Sequence, residues 1–350
     1  MCGPKRLWAY TTNVVRIRFA ERLSFLLVGV LFLGCPTETE SIDWQPAFDA
    51  ESSGWILSVW GAEGERYAVG GRRQDEGVIM HFDGSAWNEI TSPVDFPLLN
   101  WVYGFAADDV FMVGNDGRSF HYDGTDLSEI ETPTESRLWG IWGATRDDLY
   151  AVGGNGGPED LPVLIHYDGS AWTDIAYPDL ERANVRAFFK VWGTSANDVI
   201  VVGQRGIILR YDGSAWQEFG AGTGEDLISL WGTGPDRIVA VGSRTNGVMA
   251  TWDGTEWRSE SLSPMPGLNG VWTGDGNTVH VVGLLGTVAR IDFDTFAVEE
   301  DVVPVGHDLH AIFGDGESLT TVGGNLAAGI NAPAYNGTVF ERPMISSDSR

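Results

Sequence analysis

Past residue 42 the chain is written in short apolar runs broken by polar turns. The stretch KVWGTSANDVIVVGQRGIILRYDGSAWQEF (190–219) shows the unit at its clearest. A run ending in an aromatic and Gly leads into a polar turn and then a run ending Val-Gly. A variable stretch, a third run and an Asp-Gly box closed by an aromatic complete it. This pattern predicts strand A over Phe189–Trp192, strand B over Val199–Val202, strand C over Ile207–Tyr211 and strand D from Trp216. Strand B is apolar at every position, the mark of a strand covered on both faces. Asn-Asp, Gly-rich and Asp-Gly pairs stand at the reversals, where tight turns need their backbone freedom. No sustained helical period interrupts the pattern.

The unit is written seven times. Its opening aromatic recurs as Trp60, Tyr103, Trp142, Trp192, Trp231, Trp272 and Phe313. Val-Gly recurs at Val69, Val113, Val152, Val202, Val241, Val282 and Val322. The box recurs as Asp83–Trp87, Asp123–Leu127, Asp168–Trp172, Asp212–Trp216 and Asp253–Trp257, then in weaker form as Asp292–Phe296 and Asn336–Phe340. A period of about 42 residues with four strands per unit belongs to propellers. The expected fold is therefore all-β: a seven-bladed β-propeller of four-stranded antiparallel blades. Ring closure removes most of the exposed edges that an open array of such sheets would leave. Trp44 stands as far before Trp60 as Trp87 stands before Tyr103, so 42–48 reads as an outer strand latching the last blade. Thr338–Pro343 reads as a fourth strand for that same blade, and the sequence leaves the two closures open.

The box explains itself as a turn between strands C and D. Its Asp caps nearby backbone N–H groups, its Gly takes the reversal, and its Trp packs between adjacent blades. The segment resembles the Asp-box (BNR) repeat of sialidases and other secreted propellers over roughly Trp44 to Phe340. The Ser that leads the box in that family is His81, His121, His166 or Arg210 here, and the spacing from Asp to Trp is one residue shorter. The resemblance implies that the boxes are structural and lie away from the ligand face. The wider WG…VG…YDGxxW pattern is also similar to repeat lipoproteins of delta-proteobacteria.

Composition changes the picture at two points. Fifteen Trp and 46 Gly suit many strands and tight turns. A net charge of −27 repels phosphate backbones and argues against a nucleic-acid partner. The N-terminal 34 residues run against this balance, with Lys5, Arg6, Arg16, Arg18 and Arg22 against Glu21. After these bases, Leu23–Leu33 is apolar except for Ser24 and Gly29, a length that fits a signal-peptide core better than a membrane span. The run ends in Gly34-Cys35 and resembles a bacterial lipoprotein signal. Phe32 and Leu33 depart from its usual residues. The only other cysteine is Cys2, in the leader, and exported proteins commonly use cysteines in pairs. A lone Cys35 at the cleavage boundary fits a lipidation site, with an ordinary cleaved secretory signal as the alternative. The expected organisation is a signal over 1–34, whose true start lies near Val14 or Val15 if the leader is over-long. A lipidated Cys35 and polar tether follow over 35–41, then a propeller over 42–344 and a polar tail over 345–350. By the resemblance to lipoproteins, Pro36 rather than Asp after the Cys would, in those of enteric type, imply outer-membrane sorting.

Chemistry is harder to find. His81, His121 and His166 hold one repeat position, shared with Arg210 and Arg290, and lie in separate blades too far apart to ligate one metal. They read as strand-face hydrogen-bonding groups, and His280, His307 and His310 show no ligand spacing. Asp108-Asp109 and Asp147-Asp148 recur in A–B turns and read as turn residues. No EF-hand, P-loop, nucleophile elbow or sialidase Phe-Arg-Ile-Pro signature is written. No catalytic residue, metal or cofactor is assigned. The A–B and C–D turns are uniform, whereas the B–C and D–A loops vary, so binding is expected on the latter. The candidates are Arg72, Arg73, Asp75, Glu159, Asp160, Arg182, Arg186 and His307. The expectation is a monomeric, envelope-anchored lipoprotein that touches the membrane through its lipid alone and binds a protein or glycan at the cell surface. The alternative is a secreted carbohydrate-active propeller, hydrolase or lyase, built from scattered loop residues.

Overall fold

The computed structural model describes residues 43–346 and residue 348. Cys35 and the signal segment lie outside the described residues. Seven four-stranded antiparallel sheets make up the fold. Blade 1 runs from Trp55 to Glu89, blade 2 from Leu99 to Ile130, blade 3 from Leu138 to Asp174 and blade 4 from Phe188 to Gly220. Blade 5 runs from Leu227 to Pro266, blade 6 from Leu268 to Val302 and blade 7 from Asp308 to Pro343. In blade 4 the strands are Phe188–Ser195, Asp198–Gly203, Ile207–Tyr211 and Trp216–Gly220, in sheet order A-B-C-D.

Strand B is buried along nearly its whole length in every blade. Val199, Ile200, Val201 and Val202 are fully enclosed, because one face meets the preceding sheet and the other the following one. The apolar run in the sequence is therefore the physical signature of a sandwiched strand.

The ring closes through the N-terminal strand. Gln45–Pro46 pairs antiparallel with Gly337–Pro343, placing Gln45 opposite Glu341 and Pro46 opposite Phe340. Blade 7 is thus three strands from one end of the propeller and one from the other. This corrects the reading of Thr338–Pro343 as a fourth strand: it lies within the third, paired with Ser318–Gly324. The supposed box at Asn336 is the entry to that strand, with no hairpin between strands C and D. The sixth box does form a turn. Asp292 Oδ1 accepts from the Thr295 backbone N–H at 2.8 Å and from its hydroxyl at 2.7 Å.

The Trp-Gly pair is a second blade-to-blade joint. The strand-A aromatic of each blade lies over the residue pair of the next. A Cβ built on Gly104 would stand 2.6 Å from the Trp60 ring. The same holds for Gly232 against Trp192 at 2.6 Å, Gly193 against Trp142 at 2.7 Å and Gly314 against Trp272 at 2.6 Å. Tyr103 donates its hydroxyl to the Gly143 carbonyl, and Trp231 donates its indole N–H to the Thr273 carbonyl. Phe313 reaches Gly61 and completes the circle. At Gly104, Gly193, Gly232 and Gly314 a side chain would occupy the space of the neighbouring blade's ring. Gly232→Ala is expected to lower unfolding free energy by about 1–3 kcal/mol through this overlap. Gly220→Ala, where the new Cβ meets nothing within 4 Å, serves as the control in denaturant titration. Equal stability of the two variants would refute the joint.

Candidate functional site

The two ends of the ring differ in kind. At the end carrying the A–B and C–D turns, the boxes are near copies. Asp83 Oδ1 accepts from the Ser85 N–H at 2.9 Å, the Ser85 hydroxyl at 2.6 Å and the Ala86 N–H at 2.9 Å. Asp168, Asp212 and Asp253 repeat the set. Asp123 keeps the two backbone bonds, to Thr125 and Asp126. The following glycine holds a positive φ in each, 86° at Gly84. The hydroxyl and then the amide donors hold Asp83, Asp168, Asp212 and Asp253 at about 2, below the ordinary carboxylate value. The box indoles pack at the seams. Trp172 is buried, Trp216 meets Tyr150 of blade 3 edge-on at 6.0 Å, and Trp87 donates to Glu341 of blade 7.

The recurring histidines are internal pairs. His81 bonds Glu65 at 2.6 Å, His121 bonds Asp109 at 2.7 Å and His166 bonds Asp148 at 2.6 Å. Arg210 replaces the imidazole in blade 4 and donates to Asp198 at 2.6 Å. In blades 1 to 4 the acid that opens strand B is therefore the partner of strand C across the sheet, a link the spacing alone did not show. Among the described residues, no group of three or more His, Cys, Asp or Glu is placed to hold a metal ion.

The loop candidates fall into separate places. Arg72, Arg73 and Asp75 line a cleft of about 800 Å³ with Ile330 and Tyr335, at the seam between blades 1 and 7. Arg72 is engaged there in a fork on Glu89, at 3.0 and 2.7 Å. Glu159 is exposed and Asp160 half-buried on the B–C loop of blade 3, where Asp160 accepts from the Gly157 N–H. Arg182 donates to the Arg205 and Thr223 carbonyls and fastens its loop. Arg186 is half-buried, its backbone N–H held by Gln204. His307 contacts the Thr338 hydroxyl beside a different depression. The fold brings the first three together and leaves the rest apart.

A site that the sequence reading did not single out lies on the axis. Every strand A carries a β-bulge at one register: Leu57, Asn100, Trp139, Phe189, Ile228, Asn269 and His310. A bulge re-aims its side chain. Five of these residues, Trp139 through His310, line a cavity of about 310 Å³ at the loop end of the channel. Lys190, Arg244 and Asp308 complete its polar lining, and Leu284 and Leu326 add apolar wall. Lys190 is 3% exposed. Its Nζ donates to the Trp139 carbonyl at 2.8 Å and stands 3.9 Å from the centre of the Trp101 ring. Burial pushes its amine down to about 7. His310 Nδ1 faces the Leu57 carbonyl at 2.5 Å, so that nitrogen carries the hydrogen. Burial, with the Lys190 charge second, lowers its imidazole to about 4. Asp308 accepts from the Leu285 N–H at 2.9 Å. The signal was present in the sequence: three residues before each aromatic, an otherwise uniform unit varies from Asn to Trp to His.

The apolar surface is also uneven. Among the described residues, five large hydrophobic side chains are exposed. Leu161, Leu285 and Ile330 stand on B–C loops, and Val302 ends strand D opposite Thr287 on the same side. Only Val298 lies at the turn end, opposite Ile291.

No family model matches the chain. The immune protein Tsi7 of Pseudomonas aeruginosa is 29% identical over 127 residues, 34% of this chain and 39% of that protein. The chain thus spans about two-fifths of the length of that relative. Among solved structures, YCF48 bound to D1 peptide is similar with a TM-score of 0.62 at 14% identity, covering 87% of this chain and 97% of that one. A catalytically inactive virginiamycin B lyase of Staphylococcus aureus with quinupristin gives 0.66 at 12% identity, over 87% and 99%. The WD40 propeller domain of Doa1 gives 0.62 at 9% identity, over 88% and 99%. At these identities the similarity establishes the fold: this chain is a seven-bladed β-propeller.

Proposed function

We propose that the protein is a non-catalytic interaction propeller that binds a protein partner through its B–C and D–A loop face. The observation that carries this reading is the placement of exposed apolar side chains. Four of the five large ones stand on the loop face, where water contact costs free energy that a partner would recover. The opposite face is occupied with its own turn chemistry. The comparisons support the reading in kind: YCF48 is solved with a bound peptide, and the curated relative is named an immune protein. On this reading Cys35 carries the lipid and the chain works at the cell envelope, a proposal resting on the segment 15–35 and its single cysteine.

The test is capture of a partner from the envelope fraction of the native cells. A partner should be retained by the wild type and by Val298→Glu on the turn face. It should be lost, by tenfold or more in affinity, from the double variant Leu161→Glu/Leu285→Glu. Equal capture by all three, or turnover in a glycoside hydrolase and lyase panel, would overturn the reading.

A further inference from the structure

We propose that the loop-end mouth of the channel is a pocket for a carboxylate carried on an apolar or aromatic body, with the Lys190 ammonium as the partner of the anion. Three features lead there. The first is shape: bulged residues from separate blades converge on a bounded cavity of about 310 Å³, room for a small acid or one terminal side chain. The second is lining: Trp139, Phe189, Ile228, Leu284 and Leu326 offer a dry wall for the body of the ligand.

The third is an unmatched charge. Lys190 holds three N–H donors, and among the described residues these meet a neutral carbonyl and the face of Trp101. A buried ammonium without a counter-anion is costly, and burial is what lowers its pKa. The other charged groups at the mouth do not supply the missing anion. Arg244 is a second cation, exposed at the rim and engaged with Asp226 at 3.3 Å. Asp308 is turned to the Leu285 amide. His310 is neutral near pH 7. A single negative charge matches the single enclosed cation, and a carboxylate is the anion that also brings an apolar body.

The inference rests on the loop-face reading where the acid belongs to a partner chain, and stands apart from it where the acid is a free ligand. The experiment separates the two. The purified full chain is titrated with phenylacetate and phenylacetamide, following tryptophan fluorescence. Phenylacetate should bind with a Kd of about 1 mM and the amide at least about tenfold more weakly. Lys190→Met, which keeps the volume and removes the charge, should abolish the preference. Because Lys190 must be protonated to bind, the wild-type affinity should fall about tenfold from pH 6 to pH 8. That profile decides the matter if the variant does not fold. Equal binding of acid and amide, an unchanged preference in Lys190→Met, or an affinity independent of pH would overturn the proposal. A peptide ending in a free Phe carboxylate, set against its terminal amide, locates the source. Acid-selective peptide binding tighter than phenylacetate assigns the pocket to the end of a partner chain. Phenylacetate binding alone assigns it to a free acid. Failure of the loop-face capture experiment leaves this titration unaffected.

Discussion

Trp44→Ala should lower the unfolding free energy by about 3–5 kcal/mol, the range for truncating a fully buried indole. The expectation follows from how little else holds the latch. The strand Gln45–Pro46 is two residues long, extended by one further backbone bond from Ala47 to the Val339 carbonyl. Trp44 is 1% exposed, and its indole N–H donates to Asp301 of blade 6 at 3.0 Å. The Arg342 guanidinium of blade 7 lies 5.2 Å from its ring centre. Phe48, four residues on, packs against Trp87 of blade 1 at 5.5 Å. One short segment thus ties three blades, and most of its apolar burial is a single ring. Urea titration by fluorescence and by far-ultraviolet dichroism checks it. A loss under about 1 kcal/mol would mean the ring closes without the latch.

Asp348→Asn should cost about 3–5 kcal/mol, because it takes the bidentate carboxylate from a buried guanidinium and leaves it only Asp301 at 3.5 Å and the Pro343 carbonyl. Arg342 is 3% exposed, and its two terminal nitrogens meet the two oxygens of Asp348 at 2.7 and 2.8 Å. The Ile345 N–H adds a third donor at 2.8 Å, and Arg290 stands 3.5 Å away. Burial pushes the Asp348 carboxyl up, but the hydrogen bonds from Arg342 and the Ile345 amide, with the nearby cations, outweigh it and hold it below its ordinary value. The sign follows: the unfolded chain binds this proton first, so the contribution is full above about pH 4 and fades as acid protonates the folded carboxyl. Wild type and variant should therefore converge in strong acid. The double change Arg342→Met/Asp348→Asn, which removes both charges of the pair, should recover much of the loss. Additive losses in that cycle would show that the pair is not coupled.

Most of the architecture was legible because each blade repeats its own local chemistry. The Asp-Gly reversals, the sandwiched strand B and the spacing of Trp44 are written in contiguous residues. The last blade misled because Asn336-Gly337 imitates the box, while nothing local distinguishes a third strand from a fourth. The role of the Trp-Gly pair was hidden for a different reason: the ring and the glycine it covers lie in successive copies. The mouth of the channel was hidden most deeply. A bulge breaks the two-residue alternation by one position, and the side chains it turns inward come one from each blade. Lys190, a single cation in the apolar run FFKVW, acquires meaning only when Trp101 and Trp139 close over it. The candidate residues were chosen for their place on the variable loops, yet Arg72 and Arg182 use their charge to fasten those loops.

The strand at 45–46 leaves the ribosome before any blade exists, and its partner at 337–343 emerges after all the others. Folding in the order of synthesis therefore builds six sheets and most of a seventh while both rims of the arc remain unpaired. Such a nascent intermediate offers the open edge of its last sheet and the uncovered faces of its end blades to other chains for as long as translation lasts. A pause late in the message would lengthen that exposure, whereas a circular permutant starting at Leu99 would close through a full-length blade and shorten it.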